Sequence, residues 1–428
     1  MSGINIAVIG SGSTYTPELI DGLVRLKDTL PVARLVLMDI DRTKREIVGA
    51  LCKRIWKNAG LPDVVELTDD LDTALAGADF VVAQIRVGKL PARHLDETIP
   101  LKYNLIGQET TGIGGFFKAL RTIPAVGNIA KRMEVLCPRA WLINFSNPSG
   151  ILSEYLTHYT SIRSIGLCNC PINMVDEAKK AVKDDRAQVA YIGLNHLSWI
   201  TAVFSSGNDR LPALLKQGYT GTAMSNIVDD GFDLNCMRAC GGIPSSYLQY
   251  YYGRNKKLQH LKEAPTSRAQ DCMEIERNLL ALYSDTSLVE KPALLDKRGG
   301  HKYSLAAISL INSIANDLQD VHIINIPNGQ TLSFMEVDDV IETAAVVGRN
   351  GYTAQSYALP VSAHMSTMMK TVKAYEKYTV QAAVEGNDDA AINALMLHPL
   401  LGDFDTVQSC YKEMKEANKA YLPQFYKD

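Results

Sequence analysis

No run of ~20 apolar residues, the length a membrane-spanning helix needs, occurs anywhere in the 428 residues. The first apolar stretch, Ile4–Ile9, meets glycines too soon to form a signal-peptide core. Charge of one sign is not in excess either. Lys and Arg number 44 against 47 Asp and Glu, for a formal net charge of −3. That balance gives no general attraction for nucleic acid or an acidic membrane surface. An anionic ligand would have to be drawn by a local cluster of Arg. Internal repeats, low-complexity tracts and long linkers are also missing. Cysteine occurs eight times, at 52, 137, 168, 170, 236, 240, 272 and 410. A chain of this size can hold itself together without bridges, so reduced thiols and a cytoplasmic location are expected. Cys236 and Cys240 could share a helical face, but no second ligand pair with zinc-like spacing accompanies them.

What is present is a pattern. Length alone suggests two domains, or one with large insertions. Apolar strand-like runs at Ile4–Ile9, Arg34–Met38, Val64–Leu67, Phe80–Ile85 and Ala140–Phe145 alternate with helical spacing at Pro17–Leu26, Arg42–Ala59, Leu71–Ala76 and Lys118–Leu136. This alternation predicts a Rossmann-like, doubly wound parallel sheet over residues 1–166, with Ser161–Gly166 as its last strand. Residues 167–428 read as a second, α+β domain carrying the substrate and metal site. Its strands are expected at Gln188–Leu194, Ile200–Phe204 and His322–Ile326, and its long helices at Ser304–Asp317 and Met365–Glu385.

The first strand runs into Gly10-Ser11-Gly12-Ser13-Thr14. Gly10 permits a tight turn and Gly12 lets the backbone approach a pyrophosphate, which the following helix N-terminus would attract. Tyr15 replaces the third glycine of the usual fingerprint, so a plain glycine turn without a nucleotide is the competing reading. Two features favour a dinucleotide: the N-terminal position, and Asp39 at the end of the second strand, suited to ribose hydroxyls. An acid there favours NAD over NADP, although Arg42 lies close by.

Ligands of open α/β sheets lie beyond the C-terminal ends of the strands, and the loops there are polar. They carry Arg86 and Arg93, Gly107-Gln108-Glu109-Thr110-Thr111-Gly112, Ser146-Asn147-Pro148, and Cys168-Asn169-Cys170-Pro171. Any one of them could be an ordinary capped turn. Arg86, Arg93 and Arg268 can each present a fork to a phosphate, or be solvated surface residues. Cys168 and His196 each follow a strand. A thiolate and an imidazole make an open metal site if they meet, and a buried Cys and a satisfied His if they do not. Pro244 to Tyr252 holds four tyrosines, a run that usually marks core, although one beside a metal could act as a base.

Taken together, these segments resemble the NAD- and manganese-dependent glycosidases of glycoside hydrolase family 4, and most of all their 6-phospho-β-glucosidase branch. The resemblance rests on GSGSTYTPELI at 10–20, LKYNLIGQETTGIGGFFKALRTIP at 101–124, INFSNPSGI at 143–151, GLCNCPINM at 166–174 and GLNHLSW at 193–199. PSSYLQYYY at 244–252 and RGG at 298–300 add to it. It implies that Gly10, Gly12, Ser13, Thr14 and Asp39 bind NAD, and that Cys168 and His196 hold Mn2+ or another divalent cation. Tyr247 would be the base, with Tyr250, Tyr251 and Tyr252 as close rivals. Asn147 and Asn169 would contact sugar hydroxyls, and Arg93 and Arg268 would line a phosphosugar site. The α-specific branch has an Asp after the metal-binding Cys; Asn169 here cannot donate a proton that way and favours the β branch. Cys170 stands where that branch usually has Val, and a packing change is expected.

The implied reaction hydrolyses a 6-phospho-β-glucoside to glucose 6-phosphate and an aglycone without a carboxylate pair. It proceeds by oxidation at C3, loss of the C2 proton, elimination, water addition and return of hydride. A homodimer or homotetramer is also expected. Two other functions fit parts of the pattern: an NAD-dependent 2-hydroxy acid dehydrogenase of malate or lactate type, and a non-catalytic phosphosugar or nucleotide sensor.

Overall fold

The computed structural model describes residues 3–219, 227, 231–298, 303–355 and 361–426, with only the backbone described at 298 and 303–305. Most of segment 298–300 therefore lies outside the described residues. The strands are β1 (Ile4–Ile9), β2 (Val32–Met38), β3 (Val65–Thr68), β4 (Phe80–Ala83), β5 (Trp141–Asn144), β6 (Arg163–Gly166) and β7 (Gln188–Leu194). They continue with β8 (Leu197–Ser205), β9 (Asn208–Asp209), β10 (Ile243–Pro244), β11 (Asp320–Pro327), β12 (Val340–Gly348) and β13 (Gly351–Ala354). The first seven helices are α1 (Thr16–Arg25), α2 (Arg42–Asn58), α3 (Leu71–Leu75), α4 (Lys89–Lys102), α5 (Gly112–Leu136), α6 (Ser149–Tyr159) and α7 (Cys170–Val182).

Strands β3-β2-β1-β4-β5-β6 are parallel and lie in that spatial order, the doubly wound dinucleotide-binding arrangement. Ile6–Ile9, Leu35–Met38 and Phe80–Ala83 are buried throughout, as parallel strands covered on both faces must be. β6 ends the parallel part, but the sheet does not stop there. β11, β12, β7, β8 and β10 continue it as antiparallel strands, so the α+β region grows from the Rossmann sheet edge. Capping of that edge also saturates backbone groups that β6 would otherwise expose.

The register of this junction sets up the site. Gly166 at the end of β6 pairs with Asn325 of β11, Asn325 pairs with Glu342 of β12, and Glu342 pairs with Gly193 of β7. The segments leaving Gly166 and Gly193, which hold Cys168 and His196, therefore start from one row of the sheet.

Helices α4 and α5 are clamped by a buried ion pair. Arg121 Nη1 donates to Asp96 Oδ1 at 2.9 Å and Nη2 to Oδ2, with Asp96 0% and Arg121 2% exposed. Removing the carboxylate would leave a guanidinium buried without its counter-charge. Asp96→Ala should lose about 3–5 kcal/mol of stability, read as a lower urea midpoint; an unchanged midpoint would contradict the clamp.

Candidate active site

The dinucleotide loop has the required shape. Gly10 sits at φ +88°, and a Cβ there would lie 2.9 Å from the Gln84 carbonyl oxygen. At Gly12 a Cβ would meet Asp39 Oδ2 at 2.8 Å. The Gly12 N–H donates to that same oxygen at 2.7 Å, so Asp39 braces the turn from the end of β2. The loop and the acid thus form one bare-backbone cradle of the kind a pyrophosphate and ribose need. Gly10, Gly12, Ser13 and Asp39 line the cleft above it. Thr14 does not: it is fully buried beneath the turn, where its carbonyl accepts from the Tyr283 hydroxyl at 2.7 Å.

That cleft, of about 930 Å³, also contains Arg86, Arg93, Asn147, Cys168, Asn169, His196, Tyr247 and Arg268. Residues from Gly10 to Tyr421 are brought together because their segments leave the sheet at its ligand edge or pack over it. Cys168 Sγ lies 3.5 Å from His196 Nε2, and the Cys170 N–H donates to the same sulfur at 3.4 Å. His196 is held at φ +67° in the two-residue connection between β7 and β8, a conformation uncommon for a residue with a side chain. Burial drives its pKa down to about 3, so the ring is neutral and has a lone pair to offer. Burial pushes the Cys168 thiol up to about 12, helped by the nearby Glu342 carboxylate.

Tyr247 is placed by strand pairing. Pro244 of β10 pairs with Trp199 of β8, and the Ser245 N–H donates to the Ser198 carbonyl at 2.9 Å. The chain then turns, and the phenol ring stacks on His196 with centroids 3.6 Å apart and planes 12° from parallel. Burial, with Cys168 next to it, holds its pKa well above the usual value in the metal-free protein. Of the four tyrosines in this run Tyr247 alone lines the cleft. The Tyr251 hydroxyl faces Thr111 Oγ1 at 2.9 Å, that of Tyr252 faces His364 Nε2 at 2.9 Å, and the Tyr250 ring packs in the core.

The cationic side of the cleft is built around Glu109. Its carboxylate contacts Arg86, Arg93 Nη1 at 3.0 Å and Lys118 Nζ at 2.6 Å. Burial alone would raise its pKa, but these three cations hold it well below the usual value. Burial and Arg86 together lower Lys118 to about 7. Arg93 also meets Glu97 at 2.6 Å, and Glu97 accepts from the Ala269 N–H at 2.7 Å. This ties α4 to the first turn of the helix Arg268–Tyr283, where Ser267 and Gln270 form a capping box, and so sets Arg268 beside Arg93's end of the cleft. Arg86, Arg93 and Arg268 against the Glu109 and Glu97 carboxylates, with Lys118 only partly charged, leave a small positive excess, the local cluster that the balanced composition required for an anionic ligand.

Glu109, Lys118 and Tyr421 line the cleft without having been assigned a role from sequence. The Gly-Gln-Glu-Thr-Thr-Gly segment carried a signal for the first. Lys118 stands in the same 101–124 segment, one helical stretch on from Glu109, whereas nothing near Tyr421 marks it, since a C-terminal turn brings it in. Cys170 is 1% exposed and packs among apolar residues, while its N–H donates to the Cys168 sulfur. Cys236 lies partly exposed on the helix Leu234–Cys240 and Cys240 donates to the Met237 carbonyl at 3.4 Å.

The residues fit the two groups that the loop and the Cys–His pair suggest. The thiol and imidazole are close enough to share one divalent ion, and His196 Nδ1 is a buried nitrogen without a hydrogen-bond partner. Among the described residues no group of three or more His, Cys, Asp or Glu is placed to hold a metal. Further ligands would therefore come from substrate or solvent, as in an open catalytic site.

Fold and site together define an NAD-type glycoside hydrolase rather than a two-carboxylate one. Residues 5–184 match the family model described as family 4 glycosyl hydrolase, and residues 191–401 that of its C-terminal domain. The chain belongs to the family 4 glycosyl hydrolases. It is 40% identical, over 99% of its length and 98% of the relative's, to a probable 6-phospho-β-glucosidase of Bacillus subtilis. Identity is 30% to a phospho-α-glucosidase of Clostridium acetobutylicum, over all of both chains. A crystal structure of the Thermotoga maritima 6-phospho-β-glucosidase with manganese, NAD+ and glucose 6-phosphate superposes with a TM-score of 0.88 at 33% identity. That match covers 98% of this chain and 99% of the other. Malate dehydrogenase from Plasmodium falciparum shares the fold only, with a TM-score of 0.54 at 12% identity.

Proposed function

We propose that this chain hydrolyses 6-phospho-β-glucosides to glucose 6-phosphate and an aglycone, using NAD+ and a divalent cation. One observation carries the reading: a thiol, an imidazole and a stacked phenol share a cleft with a dinucleotide cradle and a cationic cluster. A dehydrogenase of hydroxy acids has no use for the first three. The Bacillus subtilis and Thermotoga maritima relatives support the substrate class, as does Asn169 at the position where an acid would serve α-glucosides.

In this proposal Cys168 and His196 hold the cation, which when bound supplies a Lewis acid and fixed positive charge. NAD+ supplies a hydride acceptor at C3 that gives the hydride back within the same turnover. Tyr247 removes the proton at C2, which lets the aglycone leave C1 and water take its place. Asn147 and Asn169 orient sugar hydroxyls, while Arg93 and Arg268 receive the phosphate. Gly10, Gly12, Ser13 and Asp39 hold the dinucleotide. Residence in a reducing cytoplasm goes with a working thiol, and all eight cysteines are free. A homodimer or homotetramer belongs to the same reading, with Tyr378, Val384, Met396 and Leu397 exposed on adjoining helices.

The test is hydrolysis of p-nitrophenyl-β-glucoside 6-phosphate with and without each cofactor under reducing conditions. Nitrophenol should appear only when NAD+ and Mn2+ are both present, with no accumulation of NADH. Stoichiometric NADH would point to a dehydrogenase, and binding without turnover to a sensor.

A further inference from the structure

The helix Ala363–Glu385 packs against α5 and α6, behind the Cys168–His196 pair. It carries two charged side chains into the interior, Lys373 at 3% and Glu376 at 4% exposure. Lys373 Nζ meets Glu154 Oε2 at 2.7 Å and Glu376 Oε2 at 2.5 Å. Glu154 is also served by the Val340 N–H and by His158, so Lys373 is already neutralised without Glu376. A second buried carboxylate is costly unless something else uses it.

Its other oxygen faces the metal-site turn. A Cβ placed on Gly150 would lie 3.0 Å from Glu376 Oε1 and 3.1 Å from Asn195 Cβ, which puts that oxygen beside the Asn195–His196 connection. A cavity of about 20 Å³ lies there, lined by His196, Glu376, Asn195, Thr111, Tyr251 and His398 among others. His196 Nδ1 is the buried nitrogen without a partner. One water needs about 10–15 Å³ and two to four polar neighbours, and this cavity offers both. Metal-binding histidines as a rule donate their other ring N–H to a carboxylate, a carbonyl or a water.

We propose that Glu376 is a positioning residue: through one buried water it accepts the His196 Nδ1–H, fixing the tautomer whose Nε2 lone pair faces Cys168. The proposal rests on reading Cys168 and His196 as the metal pair, but the tautomer can be tested without metal. The probes are the 15N shifts of His196 in the full-length, metal-free protein, assigned with His196→Ala, and Mn2+ affinity by paramagnetic resonance. Glu376→Met removes the acceptor at similar volume. It should shift His196 away from the Nδ1–H form and weaken Mn2+ binding about 10–100-fold, with NAD+ affinity unchanged. Glu376→Gln keeps an acceptor oxygen and should stay within a few-fold of wild type in both readouts. Should Glu376→Met fold poorly, the wild-type 15N shifts still decide, because a His196 ring protonated at Nε2 and bare at Nδ1 overturns the relay. An unmoved tautomer in the folded apolar variant overturns the relay. A moved tautomer with unchanged Mn2+ affinity keeps the hydrogen-bond relay and instead overturns His196 as a metal ligand.

Discussion

Tyr247→Phe is expected to bind NAD+ and glucose 6-phosphate within a few-fold of wild type while losing about 10²–10⁴-fold in kcat, the range of a general base. The ring stays, so its stacking on His196 stays too. Only the hydroxyl is lost. The group is poorly suited to its task in the metal-free protein, because burial holds the phenol protonated. A cation held by Cys168 and His196 would act in the opposite direction, since positive charge at close range favours the phenolate. Tyr251→Phe and Tyr252→Phe should retain most activity, because their hydroxyls are spent on Thr111 and His364 outside the cleft. Steady-state rates for the three variants check this directly. Loss of activity in Tyr251→Phe but not Tyr247→Phe would reassign the base.

The second large effect falls on the metal pair. Cys168→Ala and His196→Ala should each weaken Mn2+ binding by more than the ~100-fold upper range seen for residues that only support a ligand. With two protein donors, losing either leaves a single one and almost no grip. NAD+ affinity should hold, because the cradle at Gly10 and Gly12 stands on β1 and β2, away from the pair. Cys170→Val should change Mn2+ affinity little: its backbone N–H, not its thiol, reaches the Cys168 sulfur. Mn2+ titration of the three variants decides the matter; a Cys168→Ala protein with wild-type affinity would remove the sulfur from the site.

β1, β4 and β5 were legible because they are nearly continuous apolar runs of the kind a doubly covered sheet needs, and β2, β3 and β6 followed from their alternation with helical spacing. β12 was not legible. Val340–Gly348 contains Glu342 and Thr343, polar residues that break the run, yet both are buried where Asn195, Asn325 and Tyr191 satisfy the carboxylate. Burial raises Glu342's pKa to about 7, and no local pattern announces such a partner set. α5 begins at Gly112, six residues before the expected Lys118, because glycines argue against helix by propensity alone. Gly114 and Gly115 are nonetheless needed in this helix because the preceding loop packs directly on it: a Cβ would lie 2.4 Å from the Gln108 oxygen and 2.5 Å from the Thr110 carbonyl carbon. Of the cleft residues named from motifs, Gly10, Gly12, Asp39, Asn147, Cys168, Asn169 and His196 came together because each stands just after a strand whose register is fixed by the sheet, whereas Arg93 and Arg268 are set by the packing of two helices. Tyr421 was hidden because the packing of a C-terminal turn, not adjacency to a motif, brings it in, while Lys118 stood inside a quoted motif with no role attached to it.

Turnover through this site requires that the C2–H bond of the sugar be broken and remade with solvent. Hydrolysis of a 6-phospho-β-glucoside by the NAD+- and Mn2+-loaded protein in D2O should release glucose 6-phosphate carrying deuterium at C2, seen by mass spectrometry and proton resonance. Product with the original hydrogen retained at C2 would contradict it.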